Sequence, residues 1–195
     1  MYSFQGFDEK GSDTTDPKRM IGVKARVTET LPIIMFLSKY PAITHLELTC
    51  SPISDISWLK QFPQITHLCI SYTQVRDISA LSHLTSLQEL VMNELRIDTL
   101  KPLADLRSLK ALYLLYSRVR DISSIKGLSP DTHITMPIAF GGDVSCLEAM
   151  NKIYIFTPCF YTIAGGRDVH LTSKSMLCTG LDVMALVSKA TRYIR

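Results

Sequence analysis

The sequence has no CxxC pair, no His-x3-His spacing and no Gly-Lys-Ser/Thr after a glycine-rich turn. The first two absences leave a metal or dithiol site without its usual motif. The third excludes a P-loop, and Gly165-Gly166-Arg167 is no substitute for one. The five cysteines (Cys50, Cys69, Cys146, Cys159 and Cys178) are odd in number, which fits reduced thiols better than a disulfide framework. No run of about 18 apolar residues exists, so no membrane span is expected. Residues 1–20 hold no apolar core flanked by basic residues, so no ordinary secretory signal is expected. The expected location is cytoplasmic, with a secretion route that needs no apolar signal left open. A net charge of +3 and a pI near 8.6 are only mildly basic. They are not the footprint of a nucleic-acid binder.

What the sequence does have is a period. Leu46-Glu47-Leu48 opens a unit continued by Ile53, Ile56, Leu59, Phe62 and Ile65. Twenty-two residues on, Leu68 opens the same series with Ile70, Val75, Ile78, Leu81, Leu84 and Leu87. Leu90 repeats it with Met92, Ile97, Leu100, Leu103, Leu106 and Leu109. Leu112 follows with Leu114, Val119, Ile122, Ile125 and Leu128. Asp131 misses the template, and Ile134 and Met136 open a fifth strand. Four units at one fixed spacing are the signature of a solenoid of leucine-rich type. Nine places after each first Leu stand Asp55, Asp77, Thr99 and Asp121, all good helix N-caps. One such residue per repeat is explained by capping, without catalysis.

Before the regular units, residues 20–45 read as a degenerate N-terminal cap repeat. Lys24 stands where a Leu is expected, yet Leu31, Ile34, Leu37, Tyr40 and Ile43 satisfy the later positions. Val23, Ala25 and Val27 alternate as a strand would, shifted by one from the ideal register. Terminal units are often atypical because one face meets solvent. Residues 1–19 are polar and rich in Gly, Ser, Thr and Asp, and are expected to be a flexible arm.

The repeat length, the Asp-Ile-Ser motifs and the Leu-x-x-Leu-x-x-Leu spacing resemble the repeats of bacterial internalins. They also resemble the repeats of the eukaryotic phosphatase-regulatory leucine-rich proteins. The resemblance covers about residues 24–137 of the chain. It implies a right-handed arc that binds other proteins through its concave face. The fold class expected is α/β: a leucine-rich-repeat solenoid over 20–137, with a parallel concave sheet and short helical or 3₁₀ convex turns, plus a small α+β C-terminal cap over 138–195. The chain departs from internalins in showing no evident signal peptide, surface anchor or Asn ladder. Where the family has Asn or Cys, it carries Ser51, Thr73, Leu95 and Ser117. Leu95 has no polar group to hold backbone atoms, so the third turn is expected to be irregular.

The outward strand residues fall into columns. The first reads His45, His67, Glu89, Ala111 and His133. The second reads Glu47, Cys69, Val91, Tyr113 and Thr135. The third reads Thr49, Ser71, Asn93, Leu115 and Pro137, and Cys50, Tyr72, Glu94 and Tyr116 follow just beyond. The face is polar toward the N-terminus and aromatic or aliphatic toward the C-terminus. Val91, Tyr113, Leu115 and Tyr116 read as anchors for a protein partner, with Glu89, Asn93 and Glu94 as polar specificity contacts. The other reading is that the C-terminal segment folds back over Tyr113 and Leu115. His45, Glu47, His67 and Cys69 share one patch, but a polar sheet face needs no metal, and none is expected. No cofactor, nucleic acid or membrane is expected either, and the chain is expected to act as a monomer.

After Pro137 the period is lost. A helix over 143–151, a strand over 152–156, a hairpin flanking Ala164–Arg167 and a helix over 181–193 are expected. The main reading is that this tail packs on the last repeat and covers its sheet edge. The alternative is an effector-type activity in 138–195, for example Cys-dependent ubiquitin transfer. Cys178-Thr-Gly-Leu-Asp182 and Cys146 with Asp143 are the candidates for it, with His170 the one His of the tail. The tail is shorter than such ligase domains and does not match their motif. No catalytic residue is assigned, and the chain is expected to be non-enzymatic.

Overall fold

The structure, a computed structural model, describes residues 2–137 together with residue 146, residues 153–156 and residues 176–178. Each repeat begins with a short strand: β3 (His45–Glu47), β4 (His67–Cys69), β5 (Glu89–Val91), β7 (Ala111–Tyr113) and β9 (His133–Pro137). They pair in parallel, and the register matches the period: Leu46, Leu68, Leu90, Leu112 and Ile134 stand side by side. All five are buried, as are Leu48, Ile70, Met92, Leu114 and Met136 just beyond them. A strand alternates faces, so these two inward positions leave the residues between and beside them outward.

Short 3₁₀ turns follow on the convex side at Ser57–Gln61, Ser79–His83, Lys101–Leu103 and Ser123–Gly127. The expected caps stand one place early: Ile56, Ile78, Leu100 and Ile122 occupy the cap positions without a side-chain bond, and the Asp or Thr before each makes a tight turn instead. Asp55, Asp77 and Asp121 each accept an N–H two residues on, from Ser57 at 2.7 Å, Ser79 at 2.8 Å and Ser123 at 2.9 Å. Thr99 accepts that of Lys101 at 3.2 Å. Hydrogen bonds from these serines hold all three carboxyls below their usual range. A 3₁₀ turn brings residues three apart onto one side. That places the recurring triplets, such as Ile78, Leu81 and Leu84, in the buried core. At the one template miss, Asp131 is exposed and the neighbouring Thr132 is buried, its hydroxyl donating to the Leu109 carbonyl at 2.8 Å.

The N-terminal region departs from expectation in two ways. The expected flexible arm contains β1 (Ser3–Phe7), which pairs antiparallel with β2 (Gly22–Arg26). Phe4 stacks on Phe36 at 4.8 Å, and Gly22 leaves room for Phe7, whose ring would meet a Cβ there at 2.2 Å. The polar residues that suggested disorder instead close a loop. Asp8 accepts the N–H groups of Lys10 and Ser12 and pairs with Arg19. The Thr14 N–H donates to the Gly6 carbonyl at 2.9 Å, covering part of the outer edge of β1.

The second departure is the cap repeat. Its strand is as expected: β2 pairs with β3 as Val23 opposite Leu46, the one-residue shift read from the alternation, and the departure lies in the outer element. Its outer element is an α-helix, α1 (Leu31–Lys39), with Pro in its first turn. An α-helix buries residues four apart. Ile33 and Leu37 are therefore the core residues, while Leu31 is 62% exposed and Ile34 only half-buried.

The expected irregularity at Leu95 is also corrected. Glu94 before it has φ 60, like Cys50, Tyr72 and Tyr116 at the matching places. Leu95 is buried, and its N–H is taken by the Ser117 hydroxyl of the next repeat at 3.1 Å. What differs in repeats three and four comes later. β6 (Arg96–Thr99) and β8 (Arg118–Asp121) form a separate two-stranded parallel sheet that was not expected.

Beyond β9 the main sheet continues with β10 (Ile153–Phe156), parallel to it, and β11 (Met176–Cys178), antiparallel. β10 matches the strand expected at 152–156. The expected helices and hairpin of the tail lie outside the described residues. Among the described residues, no helix is long and apolar enough to cross a membrane.

Candidate protein-binding face

The concave sheet brings the outward columns together as the sequence placed them. His45 opposes His67, which opposes Glu89, then Ala111, then His133. Glu47, Cys69, Val91, Tyr113 and Thr135 form the second row. Val91, Tyr113 and Leu115 are half-buried and Tyr116 is exposed. Thr135 is buried and bonds His133 at 2.9 Å. Tyr113 lies 5.5 Å from the His133 ring.

Asn93 is held from both sides. Its N–H donates to the Ser71 hydroxyl at 3.1 Å, and its side-chain oxygen accepts the Leu115 N–H at 2.9 Å. It therefore acts first as a strap between strands, and its amide nitrogen is the part left to face a partner. Glu89 is half-buried and Glu94 exposed.

The polar half is built around two imidazoles. The rings of His45 and His67 stack at 3.9 Å, and each Nδ1 meets the hydroxyl of the preceding Thr, Thr44 or Thr66, at 2.8 Å. Burial, and then the charge His67 would carry, push His45 below the usual histidine value, against a weaker upward pull from its bond to Ile21. These rings, with Phe7, Glu47, Cys69, Glu89 and Val91, line a shallow depression of about 160 Å³. Lys24 pairs with Glu47 at 3.7 Å, and the Cys69 thiol sits 3.2 Å from the Thr49 hydroxyl. Among the described residues, no group of three or more His, Cys, Asp or Glu is arranged to hold a metal ion.

The side-chain feature that the sequence reading passed over is Tyr72. It is 55% exposed, more than Tyr116 at 42%. Both occupy the last column, which carries the left-handed residues Cys50, Tyr72, Glu94 and Tyr116. Its signal was present in the two-repeat spacing from Tyr116. Beside this column a larger groove of about 560 Å³ is lined by Thr73, Gln74, Arg76, Asp77, Glu94 and Arg96, among others.

The thiols offer no assembled nucleophile among the described residues. Cys50 is exposed and Cys69 half-buried, while Cys146 is buried with its thiol donating to the Ile122 carbonyl at 3.3 Å. Cys159, His170 and Asp143 lie outside the described residues, as does the side chain of Cys178.

The coil geometry, the stacked 3₁₀ turns and the parallel concave sheet define the class: this is a leucine-rich-repeat protein. It resembles the internalins. It matches the crystal structure of internalin C2 from Listeria monocytogenes with a TM-score of 0.55 and 26% identity, over 62% of this chain and 54% of that one. It matches an internalin (inlF) of the same organism with a TM-score of 0.52 and 23% identity, over 75% of this chain and 50% of that one. The second likeness speaks for the fold alone. The chain spans about half the length of the internalins it matches. No family model matches the sequence, and no curated protein does.

Proposed function

We propose that the chain is a non-enzymatic interaction module that binds a protein partner on the concave face of its repeat arc. Leucine-rich-repeat folds of this kind generally mediate protein–protein interaction. The observation that carries the reading is the patch formed by Val91 on β5, Tyr113 opposite it on β7, and Leu115 and Tyr116 just beyond β7, bordered by Glu89, Asn93 and Glu94. Apolar and aromatic groups at the centre with polar groups around them are the composition of an interface core. Tyr is also enriched among residues that dominate binding energy. The strands hold these side chains in fixed register, so little ordering cost is left for the moment of binding.

The test compares the full-length chain with a Tyr113→Ala/Leu115→Ala double variant as bait against lysate of the source cells. A protein retained by the wild type and lost by the variant, with both melting at the same temperature, supports the reading. Equal retention of every captured protein sinks it.

A further inference from the structure

We propose that the rim column Tyr72, Glu94 and Tyr116 is a clamp for a basic side chain of a protein partner, with arginine preferred over lysine. The proposal rests on the concave-face reading and adds the chemistry that the partner must present.

The first argument is conformational. Tyr72, Glu94 and Tyr116 have φ of 57, 60 and 57, in the left-handed region. Glycine enters it freely and Asn or Asp with little strain, whereas a bulkier residue is penalised. All three side chains are exposed to solvent. Cys50 shares the conformation at φ 59, so the turn recurs in each repeat, and what distinguishes these three places is the two aromatic side chains and the carboxylate set on it.

The second argument is geometric. The Tyr72 N–H donates to the Asn93 carbonyl at 3.1 Å, and the Glu94 N–H to the Leu115 carbonyl at 2.9 Å. The three residues therefore sit on successive rungs of one ladder. Neighbouring rungs are about 4.8 Å apart, so the two Tyr backbones are about 10 Å apart with Glu94 midway. Matching φ values send the three Cβ atoms off the backbone in the same direction. A cation held above Glu94 would then stand between the two Tyr side chains, about one rung spacing of 5 Å from the backbone of each.

The third argument is electrostatic. The chain carries +3 overall, yet its central concave strip holds two carboxylates, Glu89 and Glu94. Among the described residues, neither is in an ion pair, whereas Glu47 is matched by Lys24. Arg76 and Arg96 line the adjoining groove without pairing with Glu94. A flat guanidinium stacks on aromatic faces while its edge bonds a carboxylate, which an ammonium does less well.

The test uses the full-length chain and labelled twelve-residue Gly/Ser peptides with three arginines, or with lysine, citrulline or glutamate in their place. Binding is read by fluorescence anisotropy. The arginine peptide is expected to bind tightest, and the citrulline twin, equal in shape but neutral, about tenfold more weakly. Glu94→Gln is expected to weaken the arginine peptide about tenfold, and Tyr72→Asn or Tyr116→Asn about threefold to fivefold each. Asn suits the left-handed position, so these variants keep the fold, and unchanged melting temperatures check that. The clamp is overturned if arginine and citrulline peptides bind alike, if Glu94→Gln changes nothing, if the glutamate peptide binds best, or if the arginine peptide fails to bind at all. A cellular partner indifferent to Glu94→Gln but lost with Tyr113→Ala/Leu115→Ala would refute the clamp and leave the concave-face reading standing. A partner indifferent to all of these variants defeats both.

Discussion

Ser117→Ala removes one hydroxyl and should open the joint between the third and fourth coils. The Ser117 side chain is buried, accepts the Leu95 N–H at 3.1 Å and donates to the Met92 carbonyl. Leu95 is itself 1% exposed, so water cannot replace the lost acceptor. A buried N–H left without a partner costs about 1–3 kcal/mol. An underfilled carbonyl costs less, because it has a second lone pair. Taking the middle of that range, about 2 kcal/mol, and adding the smaller share of the carbonyl gives about 2–3 kcal/mol. For a chain of this size each kcal/mol lowers the melting temperature by about 2–4 °C, so a drop of roughly 4–12 °C is expected. Thr73→Val is the comparison, because the Thr73 hydroxyl bonds only the Ile70 carbonyl of its own turn, at 2.8 Å. Its cost should stay near 1 kcal/mol. Thermal melts give the totals, and hydrogen exchange at the Leu95 amide gives the location. If Ser117→Ala melts within a degree or so of wild type and leaves the Leu95 amide as protected as before, the inter-coil role assigned to the hydroxyl is refuted.

A Cβ at Gly127 would sit 2.4 Å from the Ala104 carbonyl oxygen, a backbone atom that cannot swing aside. Gly127→Ala should therefore cost about 1–3 kcal/mol by overpacking, read as a lower midpoint in urea, and an unchanged midpoint would contradict the close approach. Acid should weaken the fold through His45, whose folded pKa lies below the usual 6.5, so its contribution is whole above pH 6.5 and is lost as pH falls through the lowered value. Melting temperatures taken from about pH 7.5 to about pH 5 should fall more steeply for wild type than for His45→Gln, and parallel curves would dispose of the idea. Asp55, Asp77 and Asp121, held below their usual 3.8, act only in stronger acid.

The parts of the fold visible in the sequence are those set by burial. Leu46, Leu68, Leu90 and Leu112 recur because one strand position faces the core in each coil, so spacing alone gives register and columns. The residues that misled are those whose state depends on a distant partner. Asp8, Ser12 and Asp13 look like linker composition until Arg19, Gln5 and Gly6 are seen to hold that loop. Leu31 fits the template, yet α-helical phase turns it outward and brings Ile33 in. The alternation in Arg96-Ile97-Asp98-Thr99 is a strand pattern, but the 22-residue template absorbed it and hid β6. On the candidate face, the row from Val91 to Tyr116 was legible. Tyr72 stood in the same last column but was not counted as an anchor, and its exposure beyond that of Tyr116 is visible only in the structure.

The β6–β8 sheet has a mechanical consequence. Coils three and four are bonded at strand spacing on two flanks, the concave sheet and this second ladder. Two parallel seams of equal pitch keep two coils from fanning apart along the second flank, so the pair behaves as a stiff plate. The joint between coils two and three has the concave seam but, among the described residues, no second one. Flexing should therefore be easier there than between coils three and four. Glu94 and Tyr116 ride on the plate, and Tyr72 rides on the coil across the joint. Any widening between Tyr72 and Tyr116 is then a rotation about one seam, and a ligand held between them would act as a pin through that hinge.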